Sequence, residues 1–325
     1  MRHLKGIDGL LQAPAGSAMA VGNFDGVHRG HQRLLEICRQ RRDAGASAVV
    51  VVTFEPHPLT VLRPAAVPQR LVSPERKEAL IEENGADFYV VLAPEAQVLN
   101  LSAEDFWKIL RDDVRPAFLV EGPQFTFGKN AAGNVTRLAE WSAGSKVRFE
   151  LIEPVTVPLL NLALVPPSSS LIRWLLARGR ARDAAICLGR PFALEGRVVK
   201  GQGRGKGLGV PTANLDCGQQ FVPAQAVYAG RCQLHGRTYA AAISIGSNPT
   251  FDGQGVQIEV HLIGADADFY GEDLVVEIVD WLRDQRKFPD AAALQAQMSR
   301  DIELTVQRAE TTPENPIAAA TMGAG

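Results

Sequence analysis

Apolar and polar positions follow two rhythms along this chain, and the rhythm changes near Ser168. In the first half, short apolar runs alternate with stretches of helical spacing. Residues 18–21 (AMAV) form a short apolar run that predicts a buried strand. Residues 31–42 then carry Leu34, Leu35 and Cys38 on one helical face. Residues 47–54 (SAVVVVTF) are a nearly continuous β-branched run, as expected for a parallel strand covered on both faces. Residues 75–84 read as helix and lead into a strand at 88–93. Ser102 is placed to cap a helix, with Asp105 three residues on, and 117–121 (AFLVE) is strand again. Such alternation predicts an open α/β sheet, whose ligands bind beyond the carboxyl ends of the strands. The segments 22–31, 55–58 and 121–134 each follow a strand and so fall on one edge.

From Ser168 the texture differs. Residues 168–188 predict two short helices broken near Gly179, and after Gly189 the chain becomes closely spaced strands with turn signals. These begin at FALEGRVVKG, VYAGRCQL, TYAAAISIG, VQIEVHLIG and EDLVVEIV, with a hairpin turn at 234–237. The pattern predicts a small antiparallel barrel, closed by a helix over 291–309. The stretch 311–325, rich in Thr, Ala, Pro and Gly, is expected to be a disordered tail. The expected organisation is an α/β domain over 1–185 followed by a β-barrel domain over 186–310.

Composition supports this division. A chain of 325 residues, 46% of them apolar, has material for two cores. The formal net charge of −2 lacks the basic excess of a nucleic-acid or membrane-surface protein. Cys38, Cys187, Cys217 and Cys232 show no C-x-x-C spacing, so free thiols in a reducing compartment are expected. The first residues lack the apolar core of a signal peptide, and no apolar run reaches the roughly 18 residues of a membrane span. These features predict a cytoplasmic protein with no nucleic-acid or membrane partner.

Two segments carry chemistry. In Gly22-Asn-Phe24-Asp25-Gly-Val-His28-Arg-Gly30-His31, two histidines stand at a strand-to-helix transition. Helix N-termini favour anions, and glycines let a backbone approach a ligand closely. Phosphate binding is the reading this favours. A zinc site needs further ligands, and His57 is the only other histidine nearby in sequence. The second segment, 200–209, holds five glycines with Gly203, Arg204 and Lys206 among its residues. It is either a loop wrapping phosphate oxygens or a flexible turn. Thr212 and Asn214 follow it two residues apart on one strand face, and their hard oxygens suit Mg²⁺ held together with ATP phosphates.

The first segment resembles the F-D-x-x-H-x-G-H signature of the nucleotidyltransferase superfamily, which implies a Rossmann-like α/β domain. The second, with Pro211-Thr-Ala-Asn214, resembles the riboflavin kinase module, as do 245–251 (IGSNPTF) and 259–262 (EVHL) leading to 268–271 (DFYG). From about Met19 to Glu310 the chain is similar to the bifunctional riboflavin kinase/FAD synthetase family, both halves in that family's order. The resemblance implies ATP-dependent phosphorylation of riboflavin to FMN in the barrel, with Glu259 as base. It then implies adenylyl transfer from a second ATP to FMN in the first domain, giving FAD and pyrophosphate. It assigns His28 and His31 to the ATP phosphates, with Gly22, Phe24, Asp25 and Gly30 around them. Ser168, Ser169, Ser170 and Arg173, similar to the family's S-S-T-x-I-R element, become a second phosphate clamp; ordinary helix capping is compatible with that role. His57, Pro58, Gln124, Phe125 and Arg283 fall to the flavin sites.

The chain departs from the family pattern at Gln124, where Asp or Asn is usual, at Ser170, where Thr is frequent, and in 129–134, which keeps one cation. The first two-step reading therefore stands beside a kinase with weakened adenylyl transfer, an adenylyltransferase with another acceptor such as pantetheine phosphate, and a flavin-binding regulatory protein. Oligomeric state, monomer or weak homo-oligomer, is left open by the sequence.

Overall fold

The computed structural model describes residues 1–200, 210–247, 256–265 and 269–311. The expected glycine-rich phosphate loop with Gly203, Arg204 and Lys206 lies outside them, as does the tail from Thr312 onward. The chain divides into two units. One comprises Met1–Pro68 and Ser73–Thr156, and the other comprises Gln69–Val72 together with the chain from Val157.

The first unit is built on a six-stranded parallel sheet. Its strands are β1 (Arg2–Lys5), β2 (Ala18–Val21), β3 (Val49–Phe54), β4 (Phe88–Leu92), β5 (Phe118–Glu121) and β6 (Arg148–Leu151), in the order β1-β4-β3-β2-β5-β6. Val49, Val50, Val51 and Val52 are all fully buried, as a strand covered on both faces requires. Burying each such side chain contributes about 1.5–3 kcal/mol relative to exposure. Helices α1 (Gly6–Leu11), α2 (Arg29–Asp43), α3 (Pro74–Glu83), α4 (Ala103–Lys108) and α5 (Val135–Ser142) complete the unit, besides shorter turns. Helix α2 buries Leu34, Leu35, Ile37 and Cys38. The capping expectation at Ser102 is met reciprocally. Its Oγ accepts from the Asp105 amide at 3.0 Å and donates to Asp105 Oδ2 at 2.7 Å.

The second unit begins with α6 (Ser169–Leu176) and α7 (Ala181–Leu188), separated at Gly179, whose φ is +69°. Six strands then close a barrel: β7 (Phe192–Val199), β8 (Ala213–Asp216), β9 (Ala226–Leu234), β10 (Arg237–Ser247), β11 (Val256–Leu262) and β12 (Asp273–Asp284), in the order β7-β8-β11-β10-β9-β12. All described pairings are antiparallel. The hairpin at 234–237 turns through His235 and Gly236, both at positive φ. At Gly230, beside a register shift, a Cβ would stand 2.3 Å from the Glu277 carbonyl oxygen, so strand closure there requires glycine. Helix α8 (Ala291–Thr311) follows, its N-terminus capped by Asp290, whose Oδ1 accepts from the Ala293 amide at 2.8 Å.

Residues 69–72 join this unit through hydrogen bonding. The buried Gln220 side chain donates to the carbonyls of Leu71 (3.1 Å) and Ala193 (2.8 Å) and accepts from the Glu195 amide (2.8 Å). The Phe221 amide also reaches the Arg70 carbonyl. None of the four cysteines forms a disulfide.

Candidate active sites

In the first unit the phosphate-site candidates lie where β2 gives way to α2. The end of β2 is fixed on both sides. The Val21 amide donates to Oε1 of Glu121, on β5, at 2.8 Å, and the Gly22 amide reaches the Val52 carbonyl at 2.9 Å. The chain then reverses through Phe24, Gly26 and Val27, all at positive φ, before His28 caps α2 in an extended conformation. Gly30 and His31 fall in the first helical turn, whose amides have no acceptor within the helix.

His28 and His31, three residues apart, meet on one helix face. Their rings stack with centroids 3.7 Å apart, and the fully buried Phe24 packs on His31 at 4.9 Å. Phe24 thus supports the imidazole from behind, with Asp25 partly buried beside it in the turn. Burial pushes the His31 pKa well below the usual imidazole value, and His28 and Lys77 push it further the same way. His31 is therefore neutral at pH 7. Its Nδ1 is buried and has no hydrogen-bond partner among the described residues. Neutral imidazoles each carry one N–H and can donate to phosphate oxygens.

The loop after β3 is tied to this turn. Thr53 Oγ1 donates to the Asn23 carbonyl at 3.2 Å, and the Asn23 amide lies 3.3 Å from His57 Nε2. The Leu59 amide donates to His57 Nδ1 at 3.1 Å, which fixes the ring, and Pro58 follows it half-buried. Lys77 is a site residue that sequence reasoning missed. It is 5% exposed, and its Nζ donates to Glu55 Oε2 at 3.0 Å and to the Phe54 carbonyl at 3.4 Å. The available signal was a lysine sharing a helix face with the buried Leu80 and Ile81.

On the third loop, Gln124 is exposed, while Phe125 stacks on Phe127 at 5.5 Å and packs against the core. At Gly133 a Cβ would stand 2.6 Å from the Phe127 ring. Asn134 caps α5, its Oδ1 accepting from the Arg137 amide at 3.0 Å.

Glu121 itself is 1% exposed, and burial lifts its pKa well above the carboxylate range, only partly offset by the Val21 amide. A folded-state value above the unfolded one means that the contribution of Glu121 to stability falls as pH rises beyond about 4.5, by about 1.4 kcal/mol per pH unit until the folded value is reached. Glu121→Gln keeps the acceptor for Val21 and removes the ionisation. It is expected to raise the melting temperature at pH 8 by about 2–4 °C per kcal/mol recovered, with the gain vanishing at pH 4. Equal gains at both pH values would contradict this account of Glu121.

In the second unit, Ser168 Oγ accepts from the Leu171 amide at 3.2 Å, so the capping role is present. Ser169 is half-buried and Ser170 exposed. Arg173 Nε donates to the Gln69 carbonyl at 2.7 Å.

The barrel holds the other candidates. Along β11 the side chains alternate. Ile258, Val260 and Leu262 are buried in the barrel, while Gln257, Glu259 and His261 face a cavity of about 690 Å³. Glu259 pairs in register with Asn214 on β8 and with Ser244 on β10, so three polar side chains share one face. Thr212 and Ser244 line the same cavity, whose far wall includes Leu294, Met298 and Ile302 of α8. The hydroxyl of Thr212, just ahead of β8, and the amide and carboxylate oxygens of Asn214 and Glu259 on adjacent strands are the hard donors that Mg²⁺ prefers. The residues present therefore fit that ion.

Arg283, on β12, also lines the cavity. Its guanidinium is forked onto Asp301 of α8, with Nη2 2.8 Å and Nε 3.0 Å from Oδ2. Both side chains are largely buried, at 18% and 7% exposure. Arg283 therefore meets the cavity as part of an ion pair, and it also sits 5.6 Å over the Phe288 ring.

Paired histidines thus stand at a strand-to-helix turn of a parallel sheet, and a carboxylate stands among hard oxygens on an antiparallel barrel. A family model described as FAD synthetase matches residues 11–159, and one described as riboflavin kinase matches 188–308. The bifunctional riboflavin kinase/FMN adenylyltransferase of Escherichia coli K12 is 33% identical over 94% of this chain and 97% of its own. That of Pseudomonas fluorescens is 34% identical over 93% and 96%. The chain belongs to the bifunctional riboflavin kinase/FMN adenylyltransferase family. A crystal structure described as a macrolide-efflux protein from Streptococcus pneumoniae superposes with a TM-score of 0.82 at 27% identity, covering 94% of this chain and 99% of that one. Among the described residues no helix is long and apolar enough to cross a membrane.

Proposed function

We propose that the chain converts riboflavin to FMN in its barrel and FMN to FAD in its α/β domain, consuming ATP in each step. The observation that carries the first step is Glu259, held in register between Asn214 and Ser244 on the cavity wall. The terminal ribityl hydroxyl attacks the γ-phosphorus of ATP, Glu259 accepts its proton, and ADP leaves. When bound at Thr212 and Asn214, Mg²⁺ supplies charge neutralisation for the phosphate oxygens. Gly203, Arg204 and Lys206 are proposed to wrap those oxygens, and Arg283, paired with Asp301, to bound the flavin side.

In the second step an FMN phosphate oxygen attacks the α-phosphorus of ATP and pyrophosphate leaves. His28 and His31 donate N–H groups to the phosphates, so catalysis is positioning and charge stabilisation. Gly22, Asp25 and Gly30 shape the approach, and His57, Pro58, Gln124 and Phe125 are assigned to the flavin. We assign residues 1–185 to this reaction, the Ser168–Arg173 phosphate element included, and 186–310 to the kinase. Riboflavin, FMN and ATP are then the partners, without nucleic acid or membrane. Four cysteines without a disulfide favour a cytoplasmic enzyme.

Chromatography of flavins after incubation with riboflavin, ATP and Mg²⁺ tests both steps. FMN followed by FAD is the expected result. FMN alone would confine the reading to the barrel, and unchanged riboflavin from folded protein would overturn it.

A further inference from the structure

The cavity face of β11 does more than carry Glu259. Strand β8 is four residues long and meets β11 at only two registered positions, Ala213 with Val260 and Asn214 with Glu259. Thr212 and Pro211 lie beyond the end of that strand, so the backbone ladder does not fix them. Two side chains of β11 take over. His261 Nδ1 lies 2.7 Å from the Pro211 carbonyl oxygen. A carbonyl only accepts, so Nδ1 carries the proton and donates it. At the other end, the Gln257 amide nitrogen donates to Asn214 Oδ1 and, at 3.1 Å, to Glu259 Oε1. One NH₂ group has two hydrogens and can serve both.

We propose that His261 and Gln257 are positioning residues of the kinase site, gripping the Pro211–Asn214 segment at both ends and holding Thr212 and Asn214 against Glu259. The proposal rests on the reading of Glu259 as proton acceptor and of Thr212 and Asn214 as cation-holding oxygens. Gln257 also aims the carboxylate directly, so that one side chain aligns a group for the hydroxyl and a group for the cation. Neither residue takes or gives a proton in this scheme: His261 reaches only the Pro211 carbonyl, and Gln257 reaches the Glu259 carboxylate and the Asn214 amide oxygen. Each acts through the geometry of the groups it holds, where a displacement of about 1 Å costs as much as 10²-fold in rate.

The test compares His261→Ala, His261→Asn and His261→Gln in the full-length chain. The asparagine amide nitrogen stands near the position of Nδ1, and that of glutamine near Nε2. His261→Ala is expected to lower kcat for FMN formation by about 10- to 100-fold and to weaken ADP binding in the presence of Mg²⁺ by a similar factor. ADP binding without Mg²⁺, read by calorimetry, is expected to stay unchanged. His261→Asn restores most of both losses and His261→Gln does not. Gln257→Leu lowers kcat and Mg²⁺-dependent ADP affinity together. FAD formation from supplied FMN remains at the wild-type level in every variant, and the unchanged Mg²⁺-free ADP binding shows that the barrel itself is folded. Equal behaviour of the Asn and Gln variants, or a loss of ADP affinity independent of Mg²⁺, would overturn the proposal. Wild-type protein that forms no FMN would instead overturn the function on which it rests.

Discussion

Replacing Glu259 by glutamine is expected to slow FMN formation by about 10²- to 10⁴-fold, the usual worth of a positioned general base. The substitution keeps volume and hydrogen-bonding reach but removes the ability to take the hydroxyl proton. The neighbourhood tolerates an amide sterically, because Glu259 faces a cavity and not the barrel core. The expected signature is a fall in kcat with little change in riboflavin KM, since a group acting on the proton in flight adds little to ground-state binding. FAD formation from supplied FMN should be untouched, because that reaction is assigned to residues outside the barrel. A riboflavin KM that rises with kcat unchanged would make Glu259 a binding residue.

The paired histidines give the second large effect. His31→Ala is expected to lower FAD formation from FMN by about 10²- to 10³-fold, as removal of one preorganised donor does elsewhere. His28→Ala should cost a similar factor, and the double variant less than the product of the two. The rings stack at 3.7 Å and are assigned to the same phosphates, so removing either disturbs the other. The pH profile is also constrained. The depressed His31 pKa means that its proton is lost below the usual imidazole range, so the ring is neutral from there upward. FAD formation should therefore not decline between pH 6.5 and 8 on account of His31. Pyrophosphate release measured with FMN and ATP tests this, and a rate that falls through that window in wild type but not in His31→Gln would contradict the neutral-donor role.

Burial on both faces made the central strands legible, since Val49–Phe54 needs an unbroken apolar run. The edge strands β1 and β6 were not, because Arg2–Lys5 and Arg148–Leu151 alternate or expose their side chains and read as polar segments. The His28–His31 turn was legible from residue type and spacing, and the expected strand holds Asn214 but starts at Ala213, so Thr212 lies just before it. The contacts that orient them were not. Lys77, Glu121 and Gln257 reach their partners over 22, 100 and 43 residues. A sequence pattern with period 2 or 3.6 carries no trace of such pairings. Arg283 fell between these cases. Its place beside the flavin site came from resemblance, whereas its ion pair with Asp301 depends on how α8 lies against β12.

The barrel's dependence on residues 69–72 has a consequence for how this protein can be divided. A fragment starting near 188, where the kinase family match begins, discards the Leu71 carbonyl. The Gln220 amide would then lose one of its two acceptors in a buried site, at a cost of about 1–3 kcal/mol. The second unit is thus discontinuous in sequence. A fragment meant to hold the barrel alone has to bring along residues 69–72, or supply water or a new side chain in place of the Leu71 carbonyl.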